Sequence, residues 1–406
     1  MIYDVIIIGG GPAGLMAANQ FEDKNINYLI LEKNERFGKK LLLTGGRRCN
    51  LTNNLSTKAF IDHLTVKHKK FIYKSLNVFG PKEIKSYFSR RGLELVLEDG
   101  WKYFPKTGKS ASVLDVLTKN IQAKHIRFNH SVRRIEKLDD GFNVFTKQGC
   151  YQSYHVIVAT GSNSFPSTGS SGDGLVFAKQ FDICYHEFRP AETYIYSKQV
   201  VSQLGRLKGL SIKNVLVKVL GVNQSYQDDL LVTHIGLSGP VIMHLSEFID
   251  EDLLEHGLST LEIRFIQMHE EEFFQLLHSY KNERLDIVLK RYANKKVVDV
   301  ILNQLGVESK KIGEMSHKQL RLISQSFTRY QVRVDKVEDK EKAFVNKGGI
   351  DLKEMDPRTM AIKKVEGLYF IGEIMNLHGP IGGYNLTIAL STGYLSSQHI
   401  INRMRS

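Results

Sequence analysis

Gly9, Gly11 and Gly14 stand in the spacing G-x-G-x-x-G, and the chemistry this spacing serves is the holding of a pyrophosphate. Gly9 permits a sharp turn, Gly11 lets a phosphate approach the backbone, and Gly14 lets the next helix pack close. Glu32 lies 18 residues beyond Gly14, near the spacing at which a carboxylate takes a ribose 2′-hydroxyl. An acid there, rather than a base, disfavours a 2′-phosphate, so FAD or NAD fits better than NADP. Residues 38–54, GKKLLLTGGRRCNLTNN, crowd glycine, basic and small hydrogen-bonding residues together. Lys39, Lys40, Arg47 and Arg48 suit a pyrophosphate, while Thr44, Asn50, Thr52 and Asn53 suit the polar edge of a ring. Cys49, inside that loop, reads as a buried structural thiol rather than a nucleophile. A second glycine-rich turn, residues 379–383, opens another helix. It could set backbone N–H groups and a helix dipole beside a flavin ring and so favour the reduced, anionic form. A plain glycine-rich connection explains it equally well. No acid–base pair stands out: Tyr384, His378 and His234 are candidates, although a lone histidine is more often structural.

These groups need a scaffold. The apolar, β-branched run Val5 to Ile8 before Gly9 reads as a buried parallel strand, and Leu15 to Phe21 as the helix whose N-terminus faces the phosphates. A second run, Tyr28 to Leu31, ends at Glu32. Residues 58–92 look helical, with Pro81 at a first-turn position. Residues 93–97 and 101–104 flank Glu98-Asp99-Gly100 as a hairpin, and residues 110–123 read as a helix. Ile126 to His130 and Val132 to Ile135 are extended, and residues 142–146 pair with residues 151–154. Val156 to Val158 reads as a further short buried strand. It is followed by glycine without a second G-x-G-x-x-G, so it returns the chain to the first sheet beside the cofactor. Asp173 could cap the next helix or reach the cofactor.

From residue 188 the pattern changes to alternating strands, then to a Leu-, Ile- and Val-rich helical stretch over residues 270–306. The expected organisation is α/β: a discontinuous, Rossmann-like FAD-binding domain (residues 1–187 and 343–406) with an insertion. The insertion comprises a β-barrel-like domain (residues 188–240 and 321–342) carrying a mainly helical subdomain (residues 241–320). Residues 348–360, GGIDLKEMDPRTM, read as a loop before the strand Gly367 to Ile371 and a closing helix from Asn385 to about Ile401.

The 406 residues are too many for one simple core. No apolar run approaches the ~20 residues that span a bilayer. The first apolar run is a strand without a basic segment before it, so neither a secretory leader nor a membrane association is expected. Cys49, Cys150 and Cys184 are scattered and odd in number, which fits a reducing cytoplasm and neither a zinc site nor a dithiol centre; no metal is expected. The net charge of +13 is spread along the chain with modest clusters at Lys67–Lys70 and Lys290–Lys296, which argues more for a solvated surface than for nucleic acid. The oligomeric state is not legible.

The blocks IIIGGGPAG, GKKLLLTGGRRCNLTN, ATGSNSFPSTGSSGDG, THIGLSGP, GGIDLKEMDPRTM, LYFIGE and GPIGGYNLTIALSTG together resemble one family over the whole chain. It is the bacterial FAD flavoproteins that include aminoacetone oxidases and a 3-dehydro-bile-acid Δ4,6-reductase. The resemblance implies pyrophosphate contacts from Gly9, Gly11, Pro12, Ala13 and Gly14, and Glu32 on the adenosine ribose with Lys33 beside it. It implies that Lys40, Leu41, Arg48, Cys49 and Asn50 line the cofactor, that Val132 touches adenine, and that Thr160 and Gly161 close over it. Gly372 and Glu373 would serve the ribityl side, and Gly383, Tyr384, Asn385 and Leu386 the isoalloxazine. Where the family pattern has a third glycine, this chain has Arg47, a side chain in an expected tight spot. The implied activity is FAD-dependent hydride transfer at flavin N5 with a small amine or enone-type substrate, O2 or NAD(P)H being the other redox partner. If NAD(P)H takes part it binds transiently, because the one dinucleotide fingerprint belongs to FAD. The rival reading is an FAD-containing RNA-modifying enzyme, to which the basic charge lends weight.

Overall fold

The computed structural model describes residues 2–22 and 24–405, and the chain divides into two compact units, Met1–Arg189 with Val345–Ser406, and Pro190–Phe344.

In the first unit a mixed seven-stranded sheet is built around Ile2–Ile8. Val5, Ile6 and Ile7 are fully buried, as a strand covered on both faces requires. Tyr28–Leu31 pairs parallel on one side, and Ile126–Arg127 lies beyond it. Cys150–Val158 pairs parallel on the other side. The sequence reading split this last strand in two; nothing between Tyr154 and Val156 breaks it, and it runs as one. Its first half is antiparallel to Phe142–Thr146, which pairs in turn with Val132–Lys137. Its second half is parallel to Leu368–Phe370. The three parallel strands Ile2–Ile8, Cys150–Val158 and Leu368–Phe370 therefore end on the same side of the sheet, where ligands of open α/β sheets bind. The closing helix, Tyr384–Arg405, crosses the helix Pro12–Phe21 so tightly that a side chain on Gly393 would start 2.3 Å from the Ala13 carbonyl oxygen.

The helical reading of residues 58–92 resolves into Thr57–Asp62, a 3-10 turn Lys69–Ile72, Tyr73–Phe79 and Pro81–Arg90. The expected hairpin is present as Leu95–Glu98 and Lys102–Pro105, with Asp99 and Gly100 both left-handed at φ 51° and 75°. The helix Ser110–Thr118 is shorter than expected. The glycines of GGIDLK do not start a loop. They complete the strand Val345–Ile350, which pairs with Tyr185–Glu192 where the chain leaves and re-enters this unit. Gly348 lies at φ 98° with its Cα facing the Glu187 carbonyl, 2.4 Å from where a Cβ would sit.

In the second unit a seven-stranded antiparallel sheet runs from Tyr330–Val334 through Ser259–Arg264, Ser211–Val219, Gln224–Val232, Gly236–Ser238 and Ile195–Tyr196 to Lys336–Val337. Its two end strands are consecutive in sequence and separated only by Asp335, so the sheet must curl until its edges meet, which makes it barrel-like. Ser259–Arg264 belongs to this sheet, where the sequence reads a strand over Leu261 to Ile266 within the mainly helical stretch. The helices Glu270–Ser279, Leu285–Tyr292, Lys295–Leu305 and His317–Thr328 follow, burying Phe273, Leu277, Leu289, Ile301 and Phe327.

Candidate cofactor site

The site is built from the ends of those three parallel strands. Gly9 turns the chain at φ 107°, and a Cβ there would lie 2.5 Å from the Ala159 carbonyl oxygen at the end of the neighbouring strand. A Cβ on Gly14 would lie 2.1 Å from the Gly9 carbonyl oxygen, so helix and strand touch backbone to backbone. Gly11 is different. No atom lies within 4 Å of where its side chain would begin. Gly11 is also the N-cap of Pro12–Phe21, and no side chain caps that end, which leaves its N–H groups facing the open space. Pro12 sits in the first turn, where its missing N–H costs nothing, and Ala13 is held under Gly372, whose Cβ would lie 2.9 Å from the Ala13 Cβ.

Glu32 is buried at the end of Tyr28–Leu31. Its Oε2 accepts the Gly10 N–H at 2.7 Å, and its Oε1 accepts both the backbone N–H and the side-chain amide of Asn34 at 2.8 Å. The carboxylate is thus fixed against the glycine turn as a ribose ligand would need. Lys33 turns to Asp173 (2.6 Å) and Ser171. Asp173 is therefore a partner of Lys33 in the first turn of its helix and not an N-cap, which Gly172 provides without a side-chain bond.

Lys40 and Glu373, 333 residues apart, meet at 2.6 Å. Ser162 lies 3.3 Å from the Lys40 ammonium, and a Cβ on Gly161 would reach Ser170 Oγ at 2.7 Å and Glu373 Oε2 at 3.9 Å. Leu41 is buried beside this pair in sequence, and Val132 is buried at the start of its strand. Thr160 Oγ1 and Asn50 Oδ1 are buried and, among the described residues, have no hydrogen-bond partner. Buried polar atoms are rarely left so. Together with the open space at Gly11 and the uncapped helix end, these two orphans fit a bound dinucleotide. Gly9 to Gly14 and Glu32 would hold its pyrophosphate and ribose, and Thr160 and Asn50 would satisfy its polar edges.

The loop of residues 41–53 meets the turn before the closing helix. Gly383, at φ 80°, packs on Thr52 with only 2.7 Å between its notional Cβ and the Thr52 carbonyl carbon. Thr52 Oγ1 lies 2.8 Å from Thr387 Oγ1, and the Asn53 amide donates to the Gly382 carbonyl at 3.3 Å. Asn385 is engaged twice with Gly379, accepting its N–H at 2.9 Å and donating to its carbonyl at 2.7 Å. Thr52, Asn53 and Asn385 thus brace the two loops. The Tyr384 ring is buried against Phe60 (4.7 Å between centroids), Trp101 (6.2 Å) and His63 (6.3 Å). His378 is buried, Leu386 is half-buried, and His234 is exposed in the second unit.

Arg48 pairs with Glu98 and lies over the Phe104 ring at 4.7 Å. Arg47 is exposed, so its side chain meets no tight spot; the constraint is in its backbone, which at φ 72° follows Gly45 and Gly46 in the left-handed region. Cys49 is fully buried, and burial pushes its thiol up to about 12, which makes it inert. Ser162, Ser170, Asn34 and Trp101 were not singled out by sequence. The cluster of small polar residues after Val158 was the available signal for the two serines.

The chain is 28% identical over 422 residues to the ribosomal RNA dihydrouridine synthase of Escherichia coli, covering 98% of each protein. It is 26% identical over 410 residues to the 3-dehydro-bile acid delta(4,6)-reductase of Clostridium scindens, again over 98% of each. Its fold matches that of a 3-ketosteroid-delta4-(5alpha)-dehydrogenase from Rhodococcus jostii with a TM-score of 0.55, at 11% identity, over 98% of this chain and 96% of that one. Residues 3–399 match the family described as HI0933-like protein Rossmann domain, and the chain therefore belongs to that family and is an FAD-dependent oxidoreductase.

Proposed function

We propose that this enzyme reduces a carbon–carbon double bond conjugated with a carbonyl group. The observation that carries the reading is that two relatives aligned over nearly the whole chain share this chemistry. Dihydrouridine is a uracil ring saturated at the double bond conjugated with its carbonyl, and a 3-oxo-Δ4,6 steroid carries the same conjugation. Bound FAD supplies hydride transfer through N5. The chain's own residues position and stabilise. The turn at Gly11 and the N-terminus of Pro12–Phe21 hold negative phosphate, Glu32 fixes the ribose, and the N-terminus of Tyr384–Arg405 offers N–H groups where negative charge develops. Reduction places hydride on the carbon β to the carbonyl and a proton on the α carbon; Tyr384 and His378 are the groups proposed to steer that proton. NADH or NADPH serves as the transient reductant. The test is a single turnover: protein reduced with NADPH without oxygen is mixed with cyclohexenone or a 4-en-3-one steroid while flavin absorbance is followed. Reoxidation with one equivalent of saturated ketone supports the reading. Reduction of the flavin by primary amines, with no reoxidation by any enone, overturns it in favour of amine oxidation.

A second reading takes the conjugated bond to be that of a uracil base within RNA. The distribution of charge favours it. The first unit holds 35 Lys and Arg against 22 Asp and Glu, the second 21 against 21, so the whole +13 belongs to the cofactor-binding unit. A uridine-containing RNA in the same assay separates the two.

A further inference from the structure

Within the first unit the charge is concentrated again. Residues 57–91 contain nine Lys and Arg against two acidic residues, a net +7. The helices of this segment turn Phe60, Ile61, Leu64, Ile72, Leu76, Phe79, Ile84 and Phe88 inward. They are fastened to the closing helix: Phe79 stacks on Tyr394 at 4.3 Å, Ser391 Oγ donates to the Phe79 carbonyl at 2.6 Å, and Phe60 lies against Tyr384. The cations are therefore forced onto the outer face of a layer whose inner face touches the loop at the proposed reaction end of the cofactor. Lys58, Lys67, Lys70, Lys74, Lys82, Lys85, Arg90 and Arg91 are all exposed, and among the described residues none is paired with a carboxylate. Asp62 and Glu83 do not offset them; Glu83 is engaged with the Gly80 N–H. The second unit shows what an ordinary solvated surface does with its cations: Lys213 pairs with Asp229, Arg291 with Glu283, Arg321 with Glu271. Tyr73, 57% exposed, stands between Lys70 and Lys74, an aromatic face among cations of the kind on which an unpaired base stacks.

We propose that the outer face of residues 57–91 binds the phosphate backbone of RNA and carries it to the flavin end of the site. This rests on the second reading above. A surface of cations without carboxylate partners, with an interleaved aromatic, is the electrostatic footprint of a nucleic acid, because each phosphate contact releases condensed counterions. The test measures fluorescence anisotropy of a labelled uridine-containing RNA with the FAD-loaded protein over a salt series. Wild-type affinity should fall steeply with salt. The variant Lys67→Ala/Lys70→Ala/Lys74→Ala should lose about 2 from the slope of log affinity against log salt, at about 0.7 per phosphate contact of a single strand. Tyr73→Ala should weaken binding without changing the slope. Removing an equal charge elsewhere, by Lys213→Ala/Arg291→Ala/Arg321→Ala, should leave the slope as it is. FAD content and melting temperature, which these exposed positions do not control, report on folding. An unchanged slope in the first triple variant overturns the surface while leaving RNA as the substrate. No salt-dependent RNA binding by the wild type overturns both and leaves reduction of small enones standing. Tighter binding to phosphatidylserine vesicles than to RNA overturns the choice of partner.

Discussion

Alanine at Gly11 and alanine at Gly14 should fail in opposite ways. Gly11 sits at φ −84° and ψ 179°, which any residue adopts, and a methyl group there meets no atom within 4 Å. Gly11→Ala should leave the apoprotein intact, or raise its stability by about 0.4–1 kcal/mol through the lost freedom of the unfolded chain. The same methyl enters the space assigned to the pyrophosphate. Forcing an extra methyl into a filled site costs about 1–3 kcal/mol, so FAD should bind roughly 5- to 150-fold more weakly. Gly14→Ala places its methyl 2.1 Å from the Gly9 carbonyl oxygen and 3.1 Å from Ile7 Cγ2. The first neighbour is backbone and cannot rotate away, so helix and strand must separate, at a cost of about 3 kcal/mol or more in the apoprotein itself. Urea unfolding of the apoproteins and fluorescence titration with FAD measure the two effects separately. Gly11→Ala that destabilises the apoprotein as much as Gly14→Ala, or that binds FAD like the wild type, refutes the assignment of open space to the phosphates.

Other outcomes follow from single residues. Arg47 holds a left-handed backbone at φ 72° that costs a side-chain-bearing residue about 1–2 kcal/mol; after allowance for glycine's freer unfolded chain, Arg47→Gly should stabilise by about 0.5–1 kcal/mol in urea unfolding, and destabilisation would contradict it. Iodoacetamide should label the exposed Cys150 and Cys184 in the folded protein and Cys49 only after denaturation; rapid labelling of Cys49 would contradict its burial. Burial, with the charges of Arg403 and His399, holds His155 at about 4, below its ordinary 6.5. The unfolded chain therefore takes up this proton first as pH falls, and stability should drop by up to about 3 kcal/mol between pH 6.5 and 4, at 1.36 kcal/mol per unit. His155→Phe should flatten that profile in unfolding at several pH values; an unchanged profile would assign the loss to other groups.

The elements that carry the cofactor were legible because their signals are local. Val5 to Ile8 running into three spaced glycines, Tyr28 to Leu31 ending in Glu32, and Asp99-Gly100 between two extended runs each state their structure within a few residues. What was not legible is mostly long-range pairing. Nothing near Lys40 announces Glu373, and nothing near Arg48 announces Glu98, so the sequence shows a basic loop without the carboxylates that pair with it. Gly348 and Gly349 read as a loop by composition, yet they serve a strand, because a neighbouring backbone approaches too closely for any side chain. The long strand Cys150–Val158 was divided because its two halves face different partners, antiparallel and parallel, and so carry different patterns. The two hydrogen bonds by which Asn385 holds Gly379, six residues before it, were likewise not legible in the pattern of its own helix.

The most direct measurement is the identity and amount of the cofactor that the purified protein releases on acid denaturation, separated by chromatography and quantified against protein. One FAD per chain, retained through purification or taken up by the apoprotein on reconstitution, is the expected result, because the glycine turn and Glu32 require an adenosine half. Release of FMN, or no flavin bound after reconstitution, would contradict it.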